Sequence, residues 1–438
     1  MEMMELLLGT AKVDITPQSP MPLAGFGHRH GDFEGINHPL YLKVWFFEQT
    51  EASSLASKAL LIHADILAWS TERTEAIQSL LFERFGLEPA SIILHATHTH
   101  SGPRTLDIPD PMNTDYMEAL ECSLLEAVEE AYQQRKPVVI ERGSGECQLG
   151  IHRRKFVDGV MTMAPNEEGL IDSEVSVIRF RSKRTNETVG VLIHYACHPT
   201  TTDHKFVSSE FPGIAMERVE QAIGDGAIAS YLQGCCGDIR PALINGDAFY
   251  RGGDEEVQRL GTQLADVVLQ VLRQPMRQLE LGRINAESVE VQLPFESVPD
   301  AMHLQQSAEE SGLVGAWGRR LLAEPNRVTS HIPLKLNQVT IANDLVFLAM
   351  NGEIMVEYGL FIKNLHPGGV LPLAYSNGMV GYIPTDQQLA EGGYEPNESI
   401  HYYLLPAPFS QGIEKAICDA ASQLLKRTIL NPDNPYLI

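Results

Sequence analysis

Short apolar runs alternate with long amphipathic stretches along this chain, and that alternation limits its fold more than any other feature. Tyr41 to Phe47, Ala59 to Ile66, Ser91 to Ala96, Val175 to Phe180, Thr188 to Tyr195 and Ile228 to Leu232 have the length and apolar content of buried strands. Ile284 to Leu293, Lys335 to Ile341 and Leu345 to Met350 continue the series. Between them, "TDYMEALECSLLEAVEEAYQQRK" and "DEEVQRLGTQLADVVLQVLRQ" carry apolar residues at helical spacing, the first with Thr114 or Asp115 as its N-cap. Strands of this kind need helices to cover them, so the pattern predicts an α/β protein of mixed sheets flanked by helices. No repeat, low-complexity tract or Gly/Ser linker divides it, and residues 1–438 read as a single domain. The polar, helical segment 299–330 lies between two strand-rich blocks and reads as an insertion or lid.

Charge and sequence ends narrow the function classes. With 33 Lys and Arg against 57 Asp and Glu, the formal net charge is −24, which opposes nucleic-acid binding because that rests on neutralising phosphates. The start, "MEMMELLLGTAKVDITP", has a short apolar core and two glutamates but no positive n-region, so it reads as a first strand rather than a secretory signal. No apolar run approaches the roughly 20 residues that span a bilayer, and no stable membrane anchor is expected. The six cysteines are scattered, and adjacent Cys235 and Cys236 are poorly placed to bridge. The expected compartment is the reducing cytoplasm.

The chemistry-bearing residues stand at the ends of the apolar runs. In "IILHATHTHSGP" an extended chain would put His98 and His100 on one face and His95 on the other. Two imidazoles on one face cost desolvation and repel when charged, and a core gains nothing from the second, so the pair points to metal binding or catalysis. His198 in "VGVLIHYACHPTTT" follows another apolar run broken by Pro199, at the strand end where open α/β sheets place their sites. Glu353 follows Asn351-Gly352 and reads as the opening of a helix, and Tyr382 follows a glycine-containing turn in "YSNGMVGYIPT". Taken singly, His198 could be a hydrogen-bonded structural residue, Glu353 a helix-start carboxylate and Tyr382 a core ring. Asp14 and Asp65 read as loop caps or as partners of a ligating histidine, and "AGFGHRHGDFEGINHP", with His28, His30 and His38, as a loop bordering a pocket.

The succession "DITP", "HTHSGP", "HP", "GDIRP", "NGE" and "GYIPT" resembles the neutral/alkaline non-lysosomal ceramidase family, whose members are zinc-dependent amidases. The resemblance implies a ceramidase catalytic-domain fold and Zn2+ held by His98, His198, Glu353 and Tyr382. It implies that His100 contacts substrate or handles a proton, and that Arg153 of "GIHRRK" is the active-site arginine, with Arg154 as the alternative register. The implied reaction is cleavage of the C–N amide bond of an N-acyl compound by zinc-activated water. Two departures shift the expected substrate from ceramide to a small N-acyl molecule. "QGCCGDIRP" places Gly234 where the family carries a serine, leaving Cys235 either as a replacement nucleophile or as a buried filler. In addition, no C-terminal immunoglobulin-like domain like that of the secreted ceramidases is expected. Two other readings stay open: a metallohydrolase of an ester or phosphoester, and a catalytically silent relative that binds a small molecule.

Overall fold

The computed structural model describes residues 4–50, 56–108 and 110–429. Its main element is a mixed nine-stranded sheet running, in spatial order, Ile228–Gln233, Thr188–Tyr195, Glu174–Ser182, Lys136–Glu146, Glu5–Asp14, Tyr41–Thr50, Ser57–Ala64 and Ile92–Ala96, with Arg277–Gln278 paired to Lys136–Glu146. The predicted runs are all strands here, longer by a few residues where polar ends continue the pairing. The sheet curls until its edges meet. His95 Nε2 accepts the Gln233 N–H at 2.8 Å, and His63 Nδ1 donates to the Tyr231 carbonyl at 2.9 Å.

Alternation along Tyr41–Thr50 shows how the layers form. Val44 and Phe46 pack with Leu120, Leu124 and Val128 of the helix Thr114–Gln133. Trp45 and Phe47 face the other way, against Val339, Ile341 and Phe347 of a second sheet. That sheet has four strands, Asn285–Pro294, His331–Ala342, Leu345–Met350 and Val370–Leu373. Each fully buried large side chain of this kind stabilises the fold by about 1.5–3 kcal/mol. The cap of Thr114–Gln133 is Asn113, whose side chain accepts the Tyr116 N–H at 3.0 Å, and neither Thr114 nor Asp115 takes that role. No helix among the described residues is long and apolar enough to cross a membrane.

The 299–330 segment is an insertion between the paired strands Asn285–Pro294 and His331–Ala342, built of helices Ala301–Glu309 and Gly312–Ala323. Trp317 and Leu321 pack on Leu404, and Trp317 Nε1 donates to the Leu405 carbonyl at 2.8 Å. None of its described residues lines the central cavity, and its contacts are with the segment that carries Tyr403.

Candidate metal centre and active site

Two parallel strand pairs bring the histidines together. Ile92–Ala96 lies beside Ser57–Ala64, and Thr188–Tyr195 beside Ile228–Gln233. Chains leaving the carboxyl ends of Ile92–Ala96 and Thr188–Tyr195 carry His98 and His198. The strand stops at Ala96, so His98 and His100 are not on a common strand face. They meet because the chain turns at His98, which holds a left-handed φ of 65°, and their rings lie 4.7 Å apart. Such a backbone costs about 1–3 kcal/mol and is found where structure around it enforces it. Gln233 supplies part of that enforcement: its amide Nε2 donates to the carbonyls of Thr97 (3.2 Å) and Cys197 (3.0 Å), clasping the two histidine-bearing loops.

Main-chain carbonyls fix each imidazole. Nδ1 donates to Leu67 O in His98 (2.8 Å), to Gly25 O in His100 (2.9 Å), and to Cys236 O and Ile239 O in His198 (2.6 and 3.0 Å). A carbonyl oxygen only accepts, so every Nδ1 carries its proton and every Nε2 of the neutral ring presents a lone pair. Those nitrogens converge to within 4.8 Å of one another, with His98 and His100 Nε2 at 3.1 Å. Glu353 Oε2 stands 3.0 Å from His198 Nε2 and 3.4 Å from His98 Nε2.

So many acceptors facing one point need a cation among them, either protons or a metal ion. Two of the three imidazoles hold a proton poorly. Burial pushes the His198 pKa down to about 4, and burial together with His98 and His198 drives His100 well below the usual histidine range. Burial alone would raise the Glu353 carboxyl, and it is held well below the usual carboxylate range only by positive charge beside it, on His98 and His198 when they are protonated. Neutral imidazoles with an ionised carboxylate are the donor set of a divalent cation such as zinc, and these residues fit one.

Glu353 is not the opening residue of a helix. It lies on the short strand Glu353–Ile354, ahead of the helix Val356–Leu365, and pairs in register with Tyr382 of Tyr382–Ile383. Pairing places Tyr382 beside the carboxylate, and burial pushes its hydroxyl pKa up so that it stays a phenol. Sequence reasoning missed Tyr375 and Tyr403, whose hydroxyls donate to Glu353 Oε2 (3.4 Å) and Oε1.

The centre opens into a cavity of about 310 Å³ whose wall includes His98, His100, Glu353, Tyr382 and Arg153. Arg153 pairs with Glu395 at 2.8 Å and leaves Nη2 without a partner, while Arg154 turns away to Glu391 and Glu395. Gly25 to His28 border the cavity, as the glycine-histidine loop suggests, whereas His38 is engaged by Ser208. Asp14 closes a local turn onto Thr16 N, and Asp65 holds Tyr41 N and Thr97 Oγ1, so neither touches a ligand-type histidine.

A Cβ on Gly234 would come within 2.9 Å of Ala196 Cβ and 3.1 Å of His194 Nε2, so the position of the family serine has no room here for a side chain. Cys235 and Cys236 are buried free thiols, both pushed up by burial, which suits fillers and not a nucleophile. His152, Asp238 and Glu357 also cluster. There His152 Nδ1 accepts the Arg154 N–H, so Nε2 donates to Asp238 and offers no lone pair.

Comparison with known proteins finds the same fold elsewhere. The structure superposes on neutral ceramidase from Pseudomonas aeruginosa with a TM-score of 0.74 at 17% identity, over 97% of this chain and 75% of that one. A ceramidase complexed with C2 gives 0.73 at 17% identity, over 97% and 76%. At that identity the likeness establishes a shared fold. Residues 6–254 match the model of the neutral/alkaline non-lysosomal ceramidase N-terminal region, a span holding His98, His100, Arg153 and His198 while Glu353 and Tyr382 lie beyond it. By that match over more than half its length, the chain belongs to the neutral/alkaline non-lysosomal ceramidase family.

Proposed function

We propose that this protein is a zinc-dependent amidohydrolase that cleaves the C–N bond of a small N-acyl compound. One observation carries the reading: His98, Glu353 and Tyr382, from distant stretches of chain, meet at the wall of one cavity, and His198 from a fourth stretch turns its Nε2 to within 3.0 Å of the Glu353 carboxylate. These four are the ligands in this reading. Bound there, zinc supplies Lewis-acid polarisation and a nucleophilic water at neutral pH.

The remaining work falls to side chains. Arg153, braced by Glu395, presents its unpartnered Nη2 to the charge that develops on the amide oxygen. His100 donates its Nδ1 proton to Gly25 O and turns Nε2 toward the centre, so this nitrogen can take a proton from the attacking water and return it to the departing amine. A second reading of His100 rests on its 3.1 Å approach to His98: the same lone pair could serve as a third imidazole ligand.

Metal analysis with a panel of N-acyl, ester and phosphoester substrates tests the proposal. We expect one zinc per chain and amine release that chelation abolishes and zinc restores. Turnover of esters or phosphoesters but not amides would replace this reading with another hydrolase. Full metal occupancy with no turnover of any class would favour a silent binding protein.

A further inference from the structure

An acidic chain has gathered arginines at its cavity. Arg104, Arg153, Arg240 and Arg251 line it, against the carboxylates of Asp110 and Glu353. Arg104 is paired with Asp110 at 3.1 Å and Arg153 with Glu395. Arg240 and Arg251 form no ion pair among the described residues. Arg240 is 5% exposed, its Nε has no hydrogen-bond partner, and its guanidinium lies 4.3 Å over the Phe249 ring. Arg251 lies 4.6 Å over Phe26 and donates Nη1 to Thr200 O at 2.7 Å. Asp203 and Glu210 stand near enough to act on Arg251 by charge, but neither forms an ion pair with it. Asp203 pairs with His28, and Glu210 accepts the N–H groups of Thr202 and Phe211.

A buried guanidinium without an anion carries a large desolvation penalty that an arriving anion relieves. Burial, then Arg251 and Arg153, push Arg240 down to about 9, the mark of cations crowded together without a counterion. Arginine's planar fork matches a carboxylate with two parallel N–H bonds. Elsewhere on the wall, Leu23, Leu67, Leu106 and Ile108 offer apolar surface to an acyl chain. A cavity of about 310 Å³ suits a small ligand.

We propose that Arg240 and Arg251 form a carboxylate-binding subsite, and that the substrate is an N-acyl amino acid. The inference rests on the amidase reading and narrows it. In the reaction the amide C–N bond breaks and water supplies the new C–O bond. One water proton goes to the nitrogen, giving a fatty acid and a free amino acid.

Calorimetric titration of the zinc-loaded protein with N-octylsulfonylglycine and N-octylsulfonylglycinamide, which are not hydrolysed, tests the subsite. We expect the acid to bind about 10- to 100-fold tighter, the range of hydrogen bonds to a charged group. Arg240→Gln and Arg251→Gln should each reduce that preference while zinc content and melting temperature stay at wild-type values. Equal affinity of acid and amide in the wild type overturns the subsite, as does a preference that persists in both variants. Wild-type binding decides the question even if a variant fails to fold. Hydrolysis of N-octanoylglycine, measured in parallel, judges the amidase reading separately: tight binding of the acid without cleavage refutes the enzyme and keeps the subsite.

Discussion

Glu353→Gln should strengthen the metal-free protein and remove its response to zinc, two effects of opposite sign at one position. Glu353 is 2% exposed. Tyr375 and Tyr403 donate to its carboxylate, but its other neighbours are the lone pairs of His198 at 3.0 Å and His98 at 3.4 Å. Burying a carboxylate costs several kcal/mol, and hydroxyl bonds to a charged acceptor return about 1.5–3 kcal/mol each. Gln keeps an oxygen for a tyrosine, removes the charge, and turns an amide N–H toward His198 Nε2 for about 1 kcal/mol more. The metal-free variant should therefore gain about 1–3 kcal/mol. Zinc at a thousandfold excess over its Kd should stabilise the wild type by about 4 kcal/mol, and the variant far less, since an amide oxygen is a weak ligand. Urea unfolding of both proteins, with zinc and after chelator dialysis, reads all four states. A metal-free variant weaker than the wild type, yet still stabilised by zinc to the same extent, would refute the ligand role and the acceptor-crowding argument behind it.

Other substitutions separate the roles at the centre. His98→Ala should lose zinc and activity together, whereas His100→Ala should keep zinc and lose turnover by about 10²- to 10⁴-fold; zinc loss in His100→Ala, read by metal stoichiometry, would make it a third ligand. Arg153→Ala should resemble His100→Ala in steady-state kinetics with full zinc content. Acid should act through His198: its folded pKa of about 4 lies below the unfolded value of about 6.5, so the unfolded chain takes the proton first. Stability from this group is then complete above about pH 6.5 and declines as pH falls to about 4. Zinc measured by equilibrium dialysis should persist at pH 6 and leave as pH drops through that lower value. Cys235→Ala should cost stability in a thermal melt and leave turnover intact, and lost turnover at unchanged stability would restore the thiol as nucleophile.

Legibility in the sequence tracked how local each signal was. Apolar runs and helical spacing predict the strands and the two long helices because burial of those side chains is decided within a few residues. His98, His198, Glu353 and Tyr382 are singled out by run ends and turns, which a sequence displays. What escaped reading depends on distant chain. Gln233 looks like the tail of an apolar run, and its clasp exists only once the Thr97 and Cys197 loops lie side by side. Tyr375 and Tyr403 pass for core rings until Glu353 is placed between them. Arg240 stands inside "GDIRP", yet nothing local shows that its Nε lacks a hydrogen-bond partner. The facing of His98 and His100 was expected from strand alternation and arises from a left-handed turn beyond the strand.

Charge at the centre follows from how the histidines are held. Many metal sites orient their imidazoles with carboxylates, which adds negative charge around the ion. Here Leu67, Gly25, Cys236 and Ile239 do that work with neutral main-chain carbonyls, leaving Glu353 as the anion among the donors. A divalent cation held by one carboxylate and neutral imidazoles keeps a net positive charge. Asp110, the other acid on the cavity wall, is offset by Arg104, and Arg153, Arg240 and Arg251 add their own charge. A protein of net charge −24 thus gathers cationic side chains at this cavity, where low-dielectric walls screen their field less than solvent screens the surface acids. The field that steadies an amide oxygen as it becomes negative also favours a substrate that arrives already carrying a carboxylate.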